Sequence, residues 1–174
     1  MEKYKNKYRI PSSRLPEYDY GANGCYYVTI CTKDREHYFG KIVNGELQPS
    51  EIGKIVETEW LKTTELRPDM NLALDEFVVM PNHFHCIIFI GKNQYNTHDA
   101  VSYKNQFGTQ SKNLASIIRG FKIAVTTYAR KNNIEFAWQE RFHDHIIRDH
   151  KGLENIRGYI FNNPSNWDDD ELHE

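Results

Sequence analysis

Met80-Pro81-Asn82-His83-Phe84-His85-Cys86-Ile87-Ile88-Phe89-Ile90 decides how this chain folds. The run from His83 to Ile90 is largely apolar, which reads as a central strand buried on both faces. Successive strand residues point to opposite faces. His83 and His85 then project together from one face while Phe84 packs on the other. Two neutral imidazoles so placed can hold one metal ion. A lone His-x-His is more often a pair of unconnected polar residues at a strand entrance. Its meaning depends on what the rest of the chain supplies.

Working outward, Leu72–Met80 reads as a second strand, joined through Pro81-Asn82 as the hairpin partner of the first. Cys25–Thr32 is rich in β-formers and predicts another strand. Asn44-Gly45 marks a short hairpin, roughly 39–43 with 46–48. Ser50 is a helix N-cap, and Ile52, Ile55, Val56 and Trp60 recur at helical spacing, so a helix is expected to about Leu66, before Pro68. Residues 91–110 are polar and predict a long loop. A helix follows over about 111–131, with Leu114, Ile117, Ile118, Phe121 and Val125 as its apolar stripe. A short strand around His145–Arg148 and a helix over about 153–163, ending before Pro164, complete the chain. The order predicts an α+β fold: an antiparallel sheet with helices packed on it.

The chain has 174 residues, 39% hydrophobic and 26% charged, as expected for one globular domain with a real core. Residues 1–20 read as an extended basic N-terminal arm and 168–174 as an acidic tail, a charge run of the kind that is usually solvated surface. No apolar run reaches transmembrane length and no usual signal peptide is apparent, so a cytoplasmic protein without membrane contact is expected. Cys25, Cys31 and Cys86 lack Cys-x-x-Cys spacing and read as buried reduced thiols. The net charge of −2 gives no global sign of nucleic-acid binding. A local basic groove remains compatible with it.

The last helix carries a second constellation, Arg157-Gly158-Tyr159-Ile160-Phe161-Asn162-Asn163-Pro164. Tyr159 and Asn163 are four residues apart and share a face at the edge of the Leu153/Ile156/Ile160 stripe. In isolation they read as a boundary tyrosine and a helix-terminal Asn. Together with the histidines they make a coherent phosphodiester site. His83, His85 and the Asn163 carbonyl oxygen can hold an ion, and the Tyr159 oxygen can attack phosphorus. Mixed N/O ligation suits Mg²⁺ or Mn²⁺. A phenol with an ordinary pKa near 10 needs activation to act at neutral pH.

These residues resemble a known family. Arg14-Leu15-Pro16-Glu17-Tyr18-Asp19-Tyr20, Tyr27-Val28-Thr29-Ile30-Cys31-Thr32, Val79–His85, Phe121-Lys122, Trp138–Arg148 and Tyr159–Pro164 form an ordered set through most of the chain. The chain resembles the HUH single-strand transposases, and within them the REP-associated tyrosine transposases. The resemblance implies a ferredoxin-like sheet with both histidines on a central strand, His83 and His85 as metal ligands and Tyr159 as the nucleophile. Asn163 matches the third, amide ligand, which is Gln in some relatives. The implied reaction cuts single-stranded or hairpin DNA, leaving a 5′-phosphotyrosine and a free 3′-hydroxyl. The resemblance allows either a monomer with its tyrosine in cis or a homodimer exchanging helices.

Other residues carry weaker signals. Arg14, in the basic arm, is a candidate DNA contact. Trp138 could stack on unpaired bases while Arg141 holds phosphate, although the aromatic more simply anchors a strand–helix junction. Arg119 and Lys122 could line a DNA groove or be plain solvated charge. His143 and His145 repeat the period-2 pattern and read as structural or DNA-facing. Tyr128 is the runner-up nucleophile. Tyr26 and Tyr27 read as strand packing. Two other functions compete: a DNA-hairpin-binding protein of transposase origin that does not cut, and a metal hydrolase using water. The second is disfavoured because no Asp or Glu accompanies the histidines within their motif.

Overall fold

The computed structural model describes residues 3–4, 7–8, 14–97 and 110–173. Residues 1–2, 5–6 and 9–13 of the N-terminal arm and residues 98–109 of the 91–110 segment lie outside the described residues. Strands β1 (Lys3–Tyr4) and β2 (Lys7–Tyr8) pair with each other. The main sheet is built from β3 (Gly24–Cys31), β6 (Leu72–Val79), β7 (His83–Ile90) and β8 (His143–Ile147). Between them come the β4 (Gly40–Val43) and β5 (Glu46–Pro49) hairpin and helices α1 (Glu51–Leu61) and α2 (Leu114–Lys131), and α3 (His150–Asn162) follows the last strand.

The sheet order is β6-β7-β3-β8, antiparallel throughout. With α1 between β3 and β6 and α2 between β7 and β8, this is the split βαβ arrangement of a ferredoxin-like sheet. β7 and β3 are the central strands, as the unbroken apolar run requires. Phe84, Cys86, Ile88 and Ile90 join the main core with Trp60 of α1 and Ile117, Phe121 and Val125 of α2. The opposite face carries His83, His85 and Ile87, and a smaller cluster of Cys25, Ile87, Ile147 and Ile160 docks α3 there. The two crossover helices thus cover one face, leaving the histidine face to the helix that bears Tyr159.

Local chemistry explains the element ends. Ser50 accepts from the Gly53 N–H at 3.0 Å and starts α1. That helix stops at Leu61 rather than Leu66, and the chain continues through turns around Thr63 and Thr64, whose β-branched side chains favour helix weakly. α2 starts at Leu114, not Ser111, because Asn113 and Ser116 form a reciprocal capping box. Asp149 accepts from the Gly152 N–H at 2.7 Å, so α3 begins at His150 instead of Leu153. Asn44 and Gly45 both take positive φ, as a tight two-residue hairpin turn demands. Strand β6 bulges between Leu74 and Phe77, which lets both face the main core although they are three positions apart. The three cysteines are free and buried. Among the described residues, no helix is long and apolar enough to cross a membrane.

Candidate active site

His83 and His85 are 0% and 2% exposed, with ring centroids 4.5 Å apart. Each ring is oriented through Nδ1. His83 Nδ1 pairs with Asn82 Oδ1 at 2.8 Å. His85 Nδ1 faces two hydroxyls on the neighbouring strand, Tyr27 and Thr29, each at 2.8 Å. The His85–Thr29 partnership is set by the β3–β7 register, which places those residues directly opposite. Asn82 can only accept through its carbonyl oxygen, so His83 carries its proton on Nδ1 and turns the Nε2 lone pair into the site. Fixing a ring through its second nitrogen in this way is typical of metal-binding histidines.

Among the described residues, the Nε2 atoms of both histidines are buried without a hydrogen-bond partner, as are Asn163 Oδ1 and Asp170 Oδ2. Buried polar atoms are nearly always paired, so orphans converging on one point call for an explanation. Donor atoms of His83, His85 and Asp170 lie within 4.8 Å of one another. Burial lowers the His83 pKa to about 4, against the opposing charge of Asp170 and a contact with Asn163. Burial, then the neighbouring His83, holds His85 well below its ordinary value. Both imidazoles are therefore neutral at pH 7. The 3.7 Å approach of Asp170 Oδ2 to His83 Nε2 is not an ion pair there. Two neutral imidazoles, an amide oxygen and a carboxylate form a donor set fitting a divalent cation with mixed N/O preference.

α3 brings its residues in as its spacing predicts. The Tyr159 ring lies 5.4 Å from the His85 ring, with the residue 47% exposed. Asn163, the C-cap residue, is buried and contacts both His83 and Tyr159. Burial and the charge of Asp170 raise the Tyr159 pKa, and Asn163 partly offsets them. Arg157 holds α3 to β6 through a bidentate pair with Asp75 at 2.8 and 2.5 Å. Tyr128, by contrast, donates to Glu51 at 2.8 Å, and its side of the sheet is the main-core side, away from the histidines.

Sequence reading missed four contributors: Asn82, Tyr27, Thr29 and Asp170. Asn82 is adjacent to the motif and could have been found by asking what orients His83. The two hydroxyls needed the strand register. Asp170 departs from the solvated-tail reading: its side chain is 1% exposed, whereas that of Asp168 is 99% exposed.

The expected DNA contacts fall elsewhere. Arg119, Lys122, Trp138 and Arg141 line one cleft of about 490 Å³ along a flank of α2, together with Arg130 and Phe142. Lys122 donates to the Gln139 and Arg141 carbonyls at 2.8 and 3.1 Å, so its ammonium shapes the cleft wall. The Trp138 indole N–H donates to the Lys122 carbonyl at 3.1 Å. Arg14 pairs with Asp144 at 3.5 Å and covers the Phe142 ring at 4.5 Å. His143 and His145 are exposed on the edge strand, opposite Thr29 and Tyr27.

Comparison with known proteins follows the same line. No protein-family model matches the chain. A Haemophilus influenzae protein of unassigned function is 40% identical over 168 residues, spanning 93% of this chain and 92% of its own length. A second protein from that organism, named as a REP-associated tyrosine transposase, is 30% identical over 148 residues, spanning 84% of this chain and 73% of its own. The chain belongs to the REP-associated tyrosine transposase family. A solved REP-associated tyrosine transposase bound to a REP hairpin superimposes with a TM-score of 0.54 at 19% identity, covering 95% of this chain and 73% of that one. This family member therefore shares that transposase's fold, and its own sheet has the expected ferredoxin-like order.

Proposed function

We propose that this chain is a metal-dependent single-strand DNA endonuclease and strand transferase, cutting hairpin-associated DNA through a 5′-phosphotyrosine on Tyr159. The observation carrying the reading is the meeting of orphaned, buried His83, His85 and Asn163 donor atoms with a half-exposed Tyr159. The hairpin bound to the solved relative supports the substrate class.

His83, His85 and Asn163 would hold Mg²⁺ or Mn²⁺, each ring kept in place by its Nδ1 partner. When bound, the ion supplies positive charge that polarises the scissile phosphate and favours an ionised phenol. Tyr159 can reach a strand lying over the site because its face is open to solvent. Its oxygen attacks phosphorus and gives up its proton as the bond to the 3′-oxygen breaks. That oxygen takes a proton and leaves as a 3′-hydroxyl. Rejoining reverses the step: a 3′-hydroxyl oxygen attacks the phosphotyrosine, and Tyr159 recovers its proton. The phosphotyrosine conserves bond energy, so strand transfer needs no nucleotide. The α2 cleft would take more of the DNA, with Arg119 and Arg130 near phosphates and Trp138 offering an apolar wall.

Incubation of labelled single-stranded hairpin DNA with the protein and Mn²⁺ tests the reading. A covalent protein–DNA adduct is expected, and Tyr159→Phe should abolish it. An unchanged adduct yield in that variant would sink the assignment. Asp170 beside His83 favours one alternative, a water-using hydrolase. In that case Tyr159→Phe keeps cleavage and no adduct forms with either protein.

A further inference from the structure

Asp170 is the buried group that the three-ligand site leaves unused. It arrives on a short 3-10 turn, Trp167–Asp169, after α3. Its position does not depend on its own carboxylate alone. Trp167 is 7% exposed and packs on His37 and His173, with ring centroids 5.6 and 4.6 Å away. Asn82 Nδ2 donates to the Leu172 carbonyl at 2.7 Å, while the Oδ1 of the same amide orients His83. One side chain thus sets both the histidine tautomer and the seat of the tail. Asp170 Oδ1 accepts from the Leu172 N–H at 2.7 Å, which turns Oδ2 toward the histidines.

Distance and charge together give this oxygen a role. Ligand bonds of about 2.0–2.2 Å put two donors of one ion about 3–4.4 Å apart. The Asp170 Oδ2 to His83 Nε2 distance of 3.7 Å falls in that range. His83, His85 and Asn163 are neutral ligands, so they leave both charges of a divalent ion uncompensated in a buried site. Asp170 is a buried carboxylate whose Oδ2 has no hydrogen-bond partner among the described residues. Each is the other's missing counterpart.

We propose that Asp170 is a fourth, anionic ligand of the metal, making the segment after α3 part of the metal centre. This rests on the ligand set proposed above. The ion then gathers donors from β7, the end of α3 and the tail turn, and its affinity for metal depends on a residue outside both motifs.

Mn²⁺ binding to the full chain without DNA, measured by calorimetry and by the electron paramagnetic resonance of free Mn²⁺, tests it. Asp170→Ala should weaken binding about tenfold or more, a loss in the range expected when support for a metal site is removed. Asp170→Asn keeps shape and a carbonyl donor but not the charge, and should lie between Asp170→Ala and wild type. Asp168→Asn, at an exposed neighbour, should match wild type, and His85→Ala should lose binding. Circular dichroism checks that each variant is folded, and Asp170→Asn serves if Asp170→Ala is not. Affinity within twofold of wild type in both Asp170 variants, with binding lost in His85→Ala, overturns the fourth ligand and leaves the three-ligand reading standing. No Mn²⁺ binding by the wild-type chain overturns both.

Discussion

Ile160→Ala and Phe84→Ala should separate the helix that carries Tyr159 from the rest of the fold. Ile160 is 1% exposed and meets Cys25, Ile87 and Ile147 in the smaller cluster. It is the one fully packed side chain of α3. Phe84 is fully buried on the other face, with ring centroids 5.4 Å from both Trp60 and Phe121. Truncating a buried Ile to Ala costs about 2–5 kcal/mol, and Phe to Ala about 3–5 kcal/mol. If α3 can undock while the main core stays closed, Ile160 is exposed in that open state and Phe84 is not. Ile160→Ala then lowers the free energy of α3 opening by its full cost, and Phe84→Ala leaves it unchanged. A 2 kcal/mol loss is about a thirtyfold rise in the opening constant. Amide hydrogen exchange read by NMR reports this directly. Amides within residues 154–162 should exchange about thirtyfold faster or more in Ile160→Ala, with Phe84→Ala near wild type there, while global stability falls in both. Equal acceleration of α3 by the two variants would refute the idea that this helix is a separate unit.

Three further outcomes follow from the site. Mn²⁺ at a hundred times its dissociation constant should stabilise the protein by about 2.7 kcal/mol. For a domain of this size that raises Tm by roughly 5–10 °C in a thermal melt, and His83→Ala/His85→Ala should show no rise; a flat wild-type response refutes the metal centre. Acid should destabilise the metal-free protein through His83. Its folded pKa of about 4 lies below the unfolded value near 6.5, so the unfolded chain binds more protons in that window. The contribution is present in full above pH 6.5 and is lost as pH falls toward 4, and urea melts of wild type and His83→Gln should converge at the acid end. The cations of the α2 cleft should divide by role. Arg119→Ala is expected to reduce the salt dependence of DNA binding by about one phosphate contact. Lys122→Met should instead lower Tm, since its ammonium is bonded to two carbonyls.

Sequence alone determined the local geometry of both halves of the site. Period-2 alternation in His83–Ile90 puts the two histidines on one face and Phe84, Cys86 and Ile88 on the other, whatever the rest of the fold does. Helical spacing likewise puts Tyr159 and Asn163 on one edge of α3. The order of elements carried the α+β class, since a strand, a helix, two hairpin-linked strands, a helix and a strand can close around only a few sheets. What sequence could not settle was which distant groups meet these faces. Tyr27 and Thr29 become partners of His85 only through the register of two antiparallel strands, and a one-residue slip would send both hydroxyls into the helix layer. Asp168, Asp169 and Asp170 are chemically identical neighbours. Only the path of the chain after Pro164, with Trp167 buried and Leu172 held by Asn82, turns Asp170 inward and leaves Asp168 in water. Contacts between neighbours in sequence follow from backbone periodicity, whereas those across the fold exist only once the packed core has fixed where each segment lies.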